Sequence, residues 1–250
     1  HVRNVARVSY ATSLMKQGVL LSTTEHVLAA LYSCGIDNVY VEIDALELPI
    51  LDGSAKPFID LLARAGTRRQ RRPRKYLRVI KPLEFIDGPR RMGIYPCDQF
   101  RVNCFVDYKH PDVGPQEIEM DVTRETFSRE LAPARTFGFM KDFPGLRAMG
   151  LIRGGSVENA IVLDDNSVLN GPLRFRDEFG RHKALDLIGD LALVGRPLQA
   201  LVVAHKAGHA LHTQLVTRLL ADHSLWTETT EEHGPSAEAP STSLPATALQ

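Results

Sequence analysis

The chain has 250 residues, 44% of them hydrophobic, and its 30 basic residues balance 30 acidic ones. Such values describe one or two folded domains and exclude a disordered, collagen-like or strongly polyelectrolyte chain. No apolar stretch is long enough to span a bilayer. Three cysteines without C-x-x-C spacing argue against a disulfide frame or a zinc knuckle, so a cytoplasmic setting is expected.

In chain order, the first element is a helix from about Thr23 to a stop at Gly35. Its entry reads L-L-S-T-T-E-H-V-L-A-A-L-Y from Leu20, with Ser22 or Thr23 as N-cap, Glu25 in the first turn and apolar residues at helical spacing. N-V-Y-V-E-I-D, 38–44, reads as a strand, Asp52-Gly53 as a turn, and the next helix is capped by Ser54 and stops at Gly66. The run T-R-R-Q-R-R-P-R-K from Thr67 invites a nucleic-acid reading, yet no aromatic residue interleaves with its arginines and the chain is neutral. A solvated linker is expected instead. From Tyr76 to Asp107 the alternation is that of antiparallel strands, with a turn at Gly88-Pro89. A mostly buried helix around 181–190 ends at Gly195-Arg196-Pro197, a strand follows at 198–205, and another helix begins near Gly208. Helix, glycine stop, strand, helix therefore occurs twice, which suggests pseudo-symmetric domains with a site between them. Segment 225–250, rich in Glu, Thr, Ser and Pro, is expected to be a disordered tail.

The stretch R-H-K-A-L-D-L-I-G-D, Arg181 to Asp190, carries most of the chemistry. Residues four apart stand one above the other on a helix, so His182, Asp186 and Asp190 form one polar stripe. Leu185, Leu187, Ile188 and Leu191 fill the rest of the surface. An unpaired carboxylate in such a wall costs on the order of several kcal/mol, so something must compensate it. An imidazole and a carboxylate one turn apart suit a borderline-soft cation such as zinc. A buried His–Asp hydrogen bond is the simpler reading of this helix alone.

A second signal stands near the start, where Glu25 directly precedes His26. Ser22-x-x-Glu25 fits a capping box, in which Glu25 only reaches back to a backbone N–H. An acidic residue beside a histidine also suits metal-assisted hydrolysis, one group holding the metal and its neighbour taking a proton from water. Two histidines and an aspartate from distant segments would leave one tetrahedral position open. In A-H-K-A-G-H-A-L-H, from Ala204, His209 follows Gly208 where a strand meets a helix; His205 and His212 are nearby, and either could be a surface residue. Asp190 is left over by the metal count and is paired with His209, favouring the protonated ring of a general acid or oxyanion stabiliser.

Together, S-T-T-E-H (Ser22 to His26), D-G-S-A-K-P-F (Asp52 to Phe58), A-R-T-F-G-F (Ala134 to Phe139), G-G-S (Gly154 to Ser156), R-H-K-A-L-D-L-I-G-D and K-A-G-H-A resemble, in this order, the zinc-dependent UDP-3-O-acyl-N-acetylglucosamine deacetylases. The resemblance runs from about the first residue to about Leu220. It implies hydrolysis of the acetamide of UDP-3-O-(3-hydroxyacyl)-N-acetylglucosamine to acetate and a free amine, the committed step of lipid A biosynthesis. One Zn2+ per chain is implied, held by His26, His182 and Asp186, with Glu25 as general base. Thr136 and protonated His209 would support the oxyanion, and His209, held charged by Asp190, would protonate the leaving amine. Lys183 resembles the lysine that meets the diphosphate, Phe137 the aromatic against the sugar and acyl region, and Tyr108 the aromatic on the uracil. Gly154 and Gly155 would allow close backbone approach in an apolar passage for the acyl chain.

The implied fold class is α+β: two pseudo-symmetric domains, each layering helices against a mostly antiparallel sheet, with the zinc at their junction. The expected boundaries are 1–72 for a first domain lacking the family's leading strands, 73–224 for a second domain with a small βαβ insert near 134–164, and 225–250 for the tail. The expected partner is the acylated UDP-sugar, with no nucleic acid, weak contact with an anionic membrane surface through the basic run, and a monomeric state. Two rival readings are a metal-dependent deacetylase of another N-acetyl sugar and a non-catalytic nucleic-acid-binding α+β module.

Overall fold

A computed structural model describes residues 1–148 and 158–230. The chain opens with three short antiparallel strands, β1 (Val5–Arg7), β2 (Ser13–Lys16) and β3 (Val19–Leu21). Gln17 and Gly18, between β2 and β3, both have positive φ, as a two-residue type I′ hairpin requires. These three strands are not among the elements read from the sequence. They escape a pattern search because three or four residues with one wet side carry almost no period-2 signal.

Helix α1 (Glu25–Ser33) follows, and Gly35 ends it at φ 71°. Segment 38–44 corrects the sequence reading: it forms no ladder among the described residues, and Tyr40 is fully exposed. Its alternation is strand-like, but a strand also needs a neighbour to take its N–H and C=O groups. The nearest pairing is a bridge from Ser22 to Glu47, where Ser22 bonds Leu46 O and Leu48 N. Helix α2 (Lys56–Ala65) starts after Ala55 rather than Ser54, although Ser54 Oγ accepts from the Lys56 N–H at 3.2 Å. Gly66, at φ 72°, ends it, and 67–75 runs on without helix or strand, largely exposed.

The remainder is built on one seven-stranded mixed sheet. Its strands are β4 (Tyr76–Val79), β5 (Leu83–Asp87), β6 (Arg90–Pro96), β7 (Phe100–Tyr108) and β8 (Gly114–Asp121), joined later in the chain by two more. Short α3 (Arg124–Thr126) runs into a π-turn at Phe127–Leu131. Strands β9 (Phe137–Phe139) and β10 (Ile161–Leu163) pair in parallel, with α4 (Phe143–Ala148) between them in the chain, a βαβ unit within the segment expected to hold one. Helix α5 (Glu178–Leu191), strand β11 (Leu198–His205), helix α6 (His209–Ala221) and strand β12 (Trp226–Thr229) complete the order.

Strand β11, L-Q-A-L-V-V-A-H, lies between antiparallel β6 and parallel β7, and its near-continuous apolar run is what a strand covered on both faces needs. Strand β7 alternates instead: Phe100, Val102, Cys104 and Val106 point inward to the core that also receives Leu185, Leu187, Ile188 and Leu191 of α5. Helix α6 packs by β6. Strand β12 corrects the tail boundary. Trp226 to Thr229 pair antiparallel with β4, and the Trp226 indole donates to Leu219 O at 3.0 Å. A composition window dominated by Glu, Ser and Pro hid one tryptophan and two threonines suited to a strand. Residues 231–250 of the expected tail lie outside the described residues.

Candidate metal centre and catalytic cluster

Twelve of the fourteen residues of α5 are buried, so its polar groups cannot escape to water and must find partners inside. Burying each leucine or isoleucine contributes about 1.5–3 kcal/mol. Leaving one carboxylate unpaired would cancel the gain from one or two of them. The partners come from α1. Gly189 lets α1 in, because a Cβ there would stand 2.1 Å from Glu25 O, well inside contact distance. Helix α1 thus meets α5 at its first turn, the turn that carries Glu25 and His26.

His26 Nε2 lies 3.6 Å and His182 Nε2 3.5 Å from Asp186 Oδ1, and all three side chains are buried. The His182 Nδ1–H donates to Ala134 O at 3.1 Å, which leaves Nε2 with its lone pair facing Asp186. Burial pushes the His182 ring down to about 3, so it is neutral. Burial alone would raise Asp186, but the Lys183 ammonium, bonded to its Oδ2 at 2.7 Å, holds the carboxyl well below its usual range. Nitrogen and oxygen ligands about 2.0–2.2 Å from a tetrahedral zinc stand roughly 3.3–3.6 Å apart. The two observed separations fit that edge, and the donor set of two imidazoles and a carboxylate suits the ion.

Glu25 is buried beside this group, and its Oε2 accepts the Thr12 N–H at 3.0 Å. That bond replaces the capping box: Ser22 Oγ faces Ser13 Oγ, and the N-cap of α1 is Thr24. Burial pushes the Glu25 carboxyl above its ordinary value, against the pull of His209 and His26. Glu25, Asp186 and His209 bring ligand-type atoms within 4.8 Å of one another, so two carboxylates and an imidazole flank one small space.

Asp190, fully buried, accepts from three donors. The Thr12 hydroxyl meets Oδ1 at 2.5 Å, while His209 Nδ1 and His212 Nδ1 meet Oδ2 at 2.7 and 2.8 Å. Burial works against charge on both sides of this cluster, and the pairing wins. Asp190 is held down at about 2 by His209 and His212, and His209 is pushed up to about 9 by Asp190. His212, by contrast, is lowered by burial, which outweighs its share of Asp190. His212, for which the sequence left a surface place open, lies one turn of α6 beyond Gly208, facing α5, and is 1% exposed. His205 is half-buried, with its ring stacked on Phe105 at 4.6 Å.

Of the other expected site residues, Phe137 and Lys183 lie against His182 and Asp186. Phe137 packs edge-on against Tyr108, Phe179 and His182, with ring centroids at 5.3, 5.0 and 6.3 Å, and Lys183 Nζ lies 5.4 Å from its centre. Lys183 is therefore bonded to Asp186 and packed on an aromatic ring rather than displayed as a free surface charge. Thr136 is half-buried, its backbone tied to Gly53 O and to the Ile161 N–H at 2.7 and 2.8 Å. Gly53 cannot carry a side chain there, since a Cβ would meet Asn159 O at 2.1 Å. Gly155, expected at the acyl passage, lies outside the described residues with Gly154 and Ser156. Sequence reasoning also passed over the buried Glu178. It accepts from the Arg135 N–H and Nε at 3.0 and 2.9 Å and from the Arg174 N–H at 2.6 Å, pinning the Ala134 to Phe139 segment to the start of α5. Thr12 and Glu178 lie in no quoted motif, and Gly189, though inside R-H-K-A-L-D-L-I-G-D, has no side chain to mark its role; contacts across the fold reveal all three.

A mixed α+β frame with a buried His-His-Asp set beside a carboxylate and a charged His–Asp pair has the groups of a metal-dependent hydrolase. The family model described as LpxC, UDP-3-O-acyl N-acetylglycosamine deacetylase, matches residues 1–221. The UDP-3-O-acyl-N-acetylglucosamine deacetylase of Solibacter usitatus is 56% identical over 225 residues, 90% of this chain and 76% of that protein. Those of Myxococcus xanthus and Syntrophotalea carbinolica are 46% and 45% identical, covering 71% and 72% of their own lengths and 89% of this chain in each case. The chain belongs to the UDP-3-O-acyl-N-acetylglucosamine deacetylase family.

Proposed function

We propose that this enzyme hydrolyses the acetamide of UDP-3-O-(3-hydroxyacyl)-N-acetylglucosamine with a zinc ion held by His26, His182 and Asp186. Family membership carries the reaction, and the convergence of two Nε2 atoms on Asp186 Oδ1 supports the ligand set. Bound there, the cation supplies Lewis-acid polarisation of the acetyl carbonyl and lowers the pKa of water in its reach. Glu25 takes the proton of the attacking water as its oxygen bonds to the acetyl carbon. The Thr136 hydroxyl and the charged His209 ring stabilise the oxyanion that forms. His209 then gives its proton to the sugar nitrogen as the C–N bond breaks, leaving acetate and a free amine. Asp190 keeps His209 charged until that step. This is the committed step of lipid A biosynthesis.

Lys183, Phe137, Tyr108 and Gly155 are assigned to the diphosphate, sugar, uracil and acyl chain. The aromatic cluster of Phe137 and Tyr108 beside His182 supports the assignment of those two. We further assign residues 1–72 and 73–229 to two pseudo-symmetric α+β domains with the site at their junction, which the meeting of α1 and α5 supports. No helix of the described residues is long and apolar enough to cross a membrane. A monomer working in the cytoplasm, touching anionic membrane surface weakly through 67–75, completes the reading.

The test is acetate release from the acylated UDP-sugar. Release should stop with a chelator and return with zinc, whereas a nucleotide-free N-acetyl sugar should be a far poorer substrate. Chelator-insensitive release, or a preference for the nucleotide-free sugar, would overturn the proposal.

A further inference from the structure

Thr12 lies just ahead of β2, is fully buried, and has every polar atom engaged. Its N–H donates to Glu25 Oε2 at 3.0 Å. Its carbonyl accepts from the Thr24 N–H at 3.2 Å and from the Thr24 hydroxyl at 2.9 Å. Its hydroxyl donates to Asp190 Oδ1 at 2.5 Å. Two carboxylates on different helices are thus joined through two donors of one residue. Both bonds have a carboxylate acceptor and are buried, which makes them the strong kind.

Those contacts do more than tie elements together. With Oδ1 of Asp190 taken by Thr12, its Oδ2 is the oxygen left to the imidazoles, so the Thr12 hydroxyl sets the rotation of that carboxylate. With Oε2 of Glu25 taken by the Thr12 N–H, the other oxygen is the one left to accept a proton. Thr24, at the N-cap of α1, holds the Thr12 carbonyl, so both donors travel with the helix that carries Glu25 and His26. Reacting groups misplaced by about 1 Å can lose roughly a hundredfold in rate.

We propose that Thr12 is a positioning residue of the deacetylation, fixing the base Glu25 and the His209 partner Asp190 relative to one another through its backbone N–H and its hydroxyl. The inference rests on the roles proposed above for Glu25 and His209. It concerns turnover rather than substrate binding, since neither of its donors faces a group assigned to the substrate.

The experiment compares Thr12→Val, which keeps the shape and the N–H but removes the hydroxyl, with Thr12→Ser, which restores it. Turnover of the acylated UDP-sugar, zinc per chain and thermal midpoint are measured for each, alone and with Asp190→Ala. Thr12→Val should lower kcat about 10- to 100-fold, with KM changed less than about threefold and zinc retained. Thr12→Ser should recover kcat to within about threefold of the parent. Once Asp190→Ala has removed the acceptor, adding Thr12→Val should cost less than about twofold more. Should Thr12→Val fail to fold, Thr12→Ala against Thr12→Ser makes the same comparison. An undiminished kcat without the hydroxyl overturns the proposal, as does a loss that persists in full beside Asp190→Ala. A parent enzyme that releases no acetate would instead bring down the function itself.

Discussion

Helix α5 carries two His–Asp groupings one turn apart, and they are opposites. Around Asp186, the His182 ring spends its Nδ1–H on a backbone carbonyl and is neutral, pushed down to about 3 by burial. Around Asp190, the His209 ring turns its Nδ1 to the carboxylate and is charged, pushed up to about 9. Both rings are deeply buried, so burial alone does not separate them. The Nδ1 partners differ: a neutral carbonyl leaves the His182 lone pair free for a cation, whereas the Asp190 carboxylate, with Asp186 and Glu25 nearby, outweighs burial at His209 though not at His212. One helix thereby presents the proposed ligand and the partner of the proposed acid from the same residue types.

The sharpest break of this contrast comes from deleting one member of each role. His182→Ala should lose the zinc and with it essentially all turnover. Glu25→Ala should keep zinc near one per chain yet lose about 10²–10⁴ in kcat, the usual worth of a positioned base. Elemental analysis beside acetate release reads both. Zinc retained in His182→Ala would remove it from the ligand set, and full activity in Glu25→Ala would remove the base.

A smaller effect tests the charged grouping. With His209 as acid, the rate should fall as pH rises through about 9, and with Glu25 as base it should fall on the acid side, above the ordinary carboxylate range. Asp190→Asn removes the charge that raises His209, so the basic limb should move to lower pH, with part of the ~10²–10⁴ worth of an acid lost at pH 8. Stability follows the same pair. The raised His209 stabilises the fold fully below its ordinary 6.5, and this is lost as pH climbs through about 9. The lowered Asp190 stabilises it above 3.8, and this is lost as pH falls through about 2. An unmoved basic limb in Asp190→Asn would separate Asp190 from the acid.

How much of this was legible in the chain divides by the range of the contacts. The i, i+4 stripe of His182, Asp186 and Asp190 is a local property of a helix, and α5 presents it as read. So is the glycine stop at Gly35 and the strand at 198–205, each written in a few consecutive residues. Segment 38–44 had the strand alternation but lacked a neighbour to pair with, which no local pattern reports. Glu25 and Ser22 matched a capping box by spacing, yet the bond goes to Thr12, thirteen residues away. Thr12 and Glu178 are ordinary polar residues until the fold sets one on Asp190 and the other on Arg135. Gly189 carries no side chain at all; its role exists only because α1 crosses there. The resemblance brought the site residues into one reading, but the contacts holding them came from the packing.

The finest test concerns the two imidazoles that share one oxygen. His209 and His212 stand 2.7 and 2.8 Å from Asp190 Oδ2, and distance does not choose between them as the proton donor. Their surroundings do. His209 is raised and lies within reach of Glu25 and Asp186, whereas His212 is lowered by burial and faces only the cluster's inner side. His212→Asn keeps an N–H donor for Asp190 at nearly the same place, so the carboxylate is not left short of partners. The variant should therefore fold, keep kcat within about threefold and move the basic limb by less than about one unit, the worth of an ordinary hydrogen bond. A collapse of turnover in His212→Asn, with His209→Asn tolerated, would exchange the roles of the two rings. It would also show that proximity to Asp190 matters more than access to the space between Glu25 and Asp186.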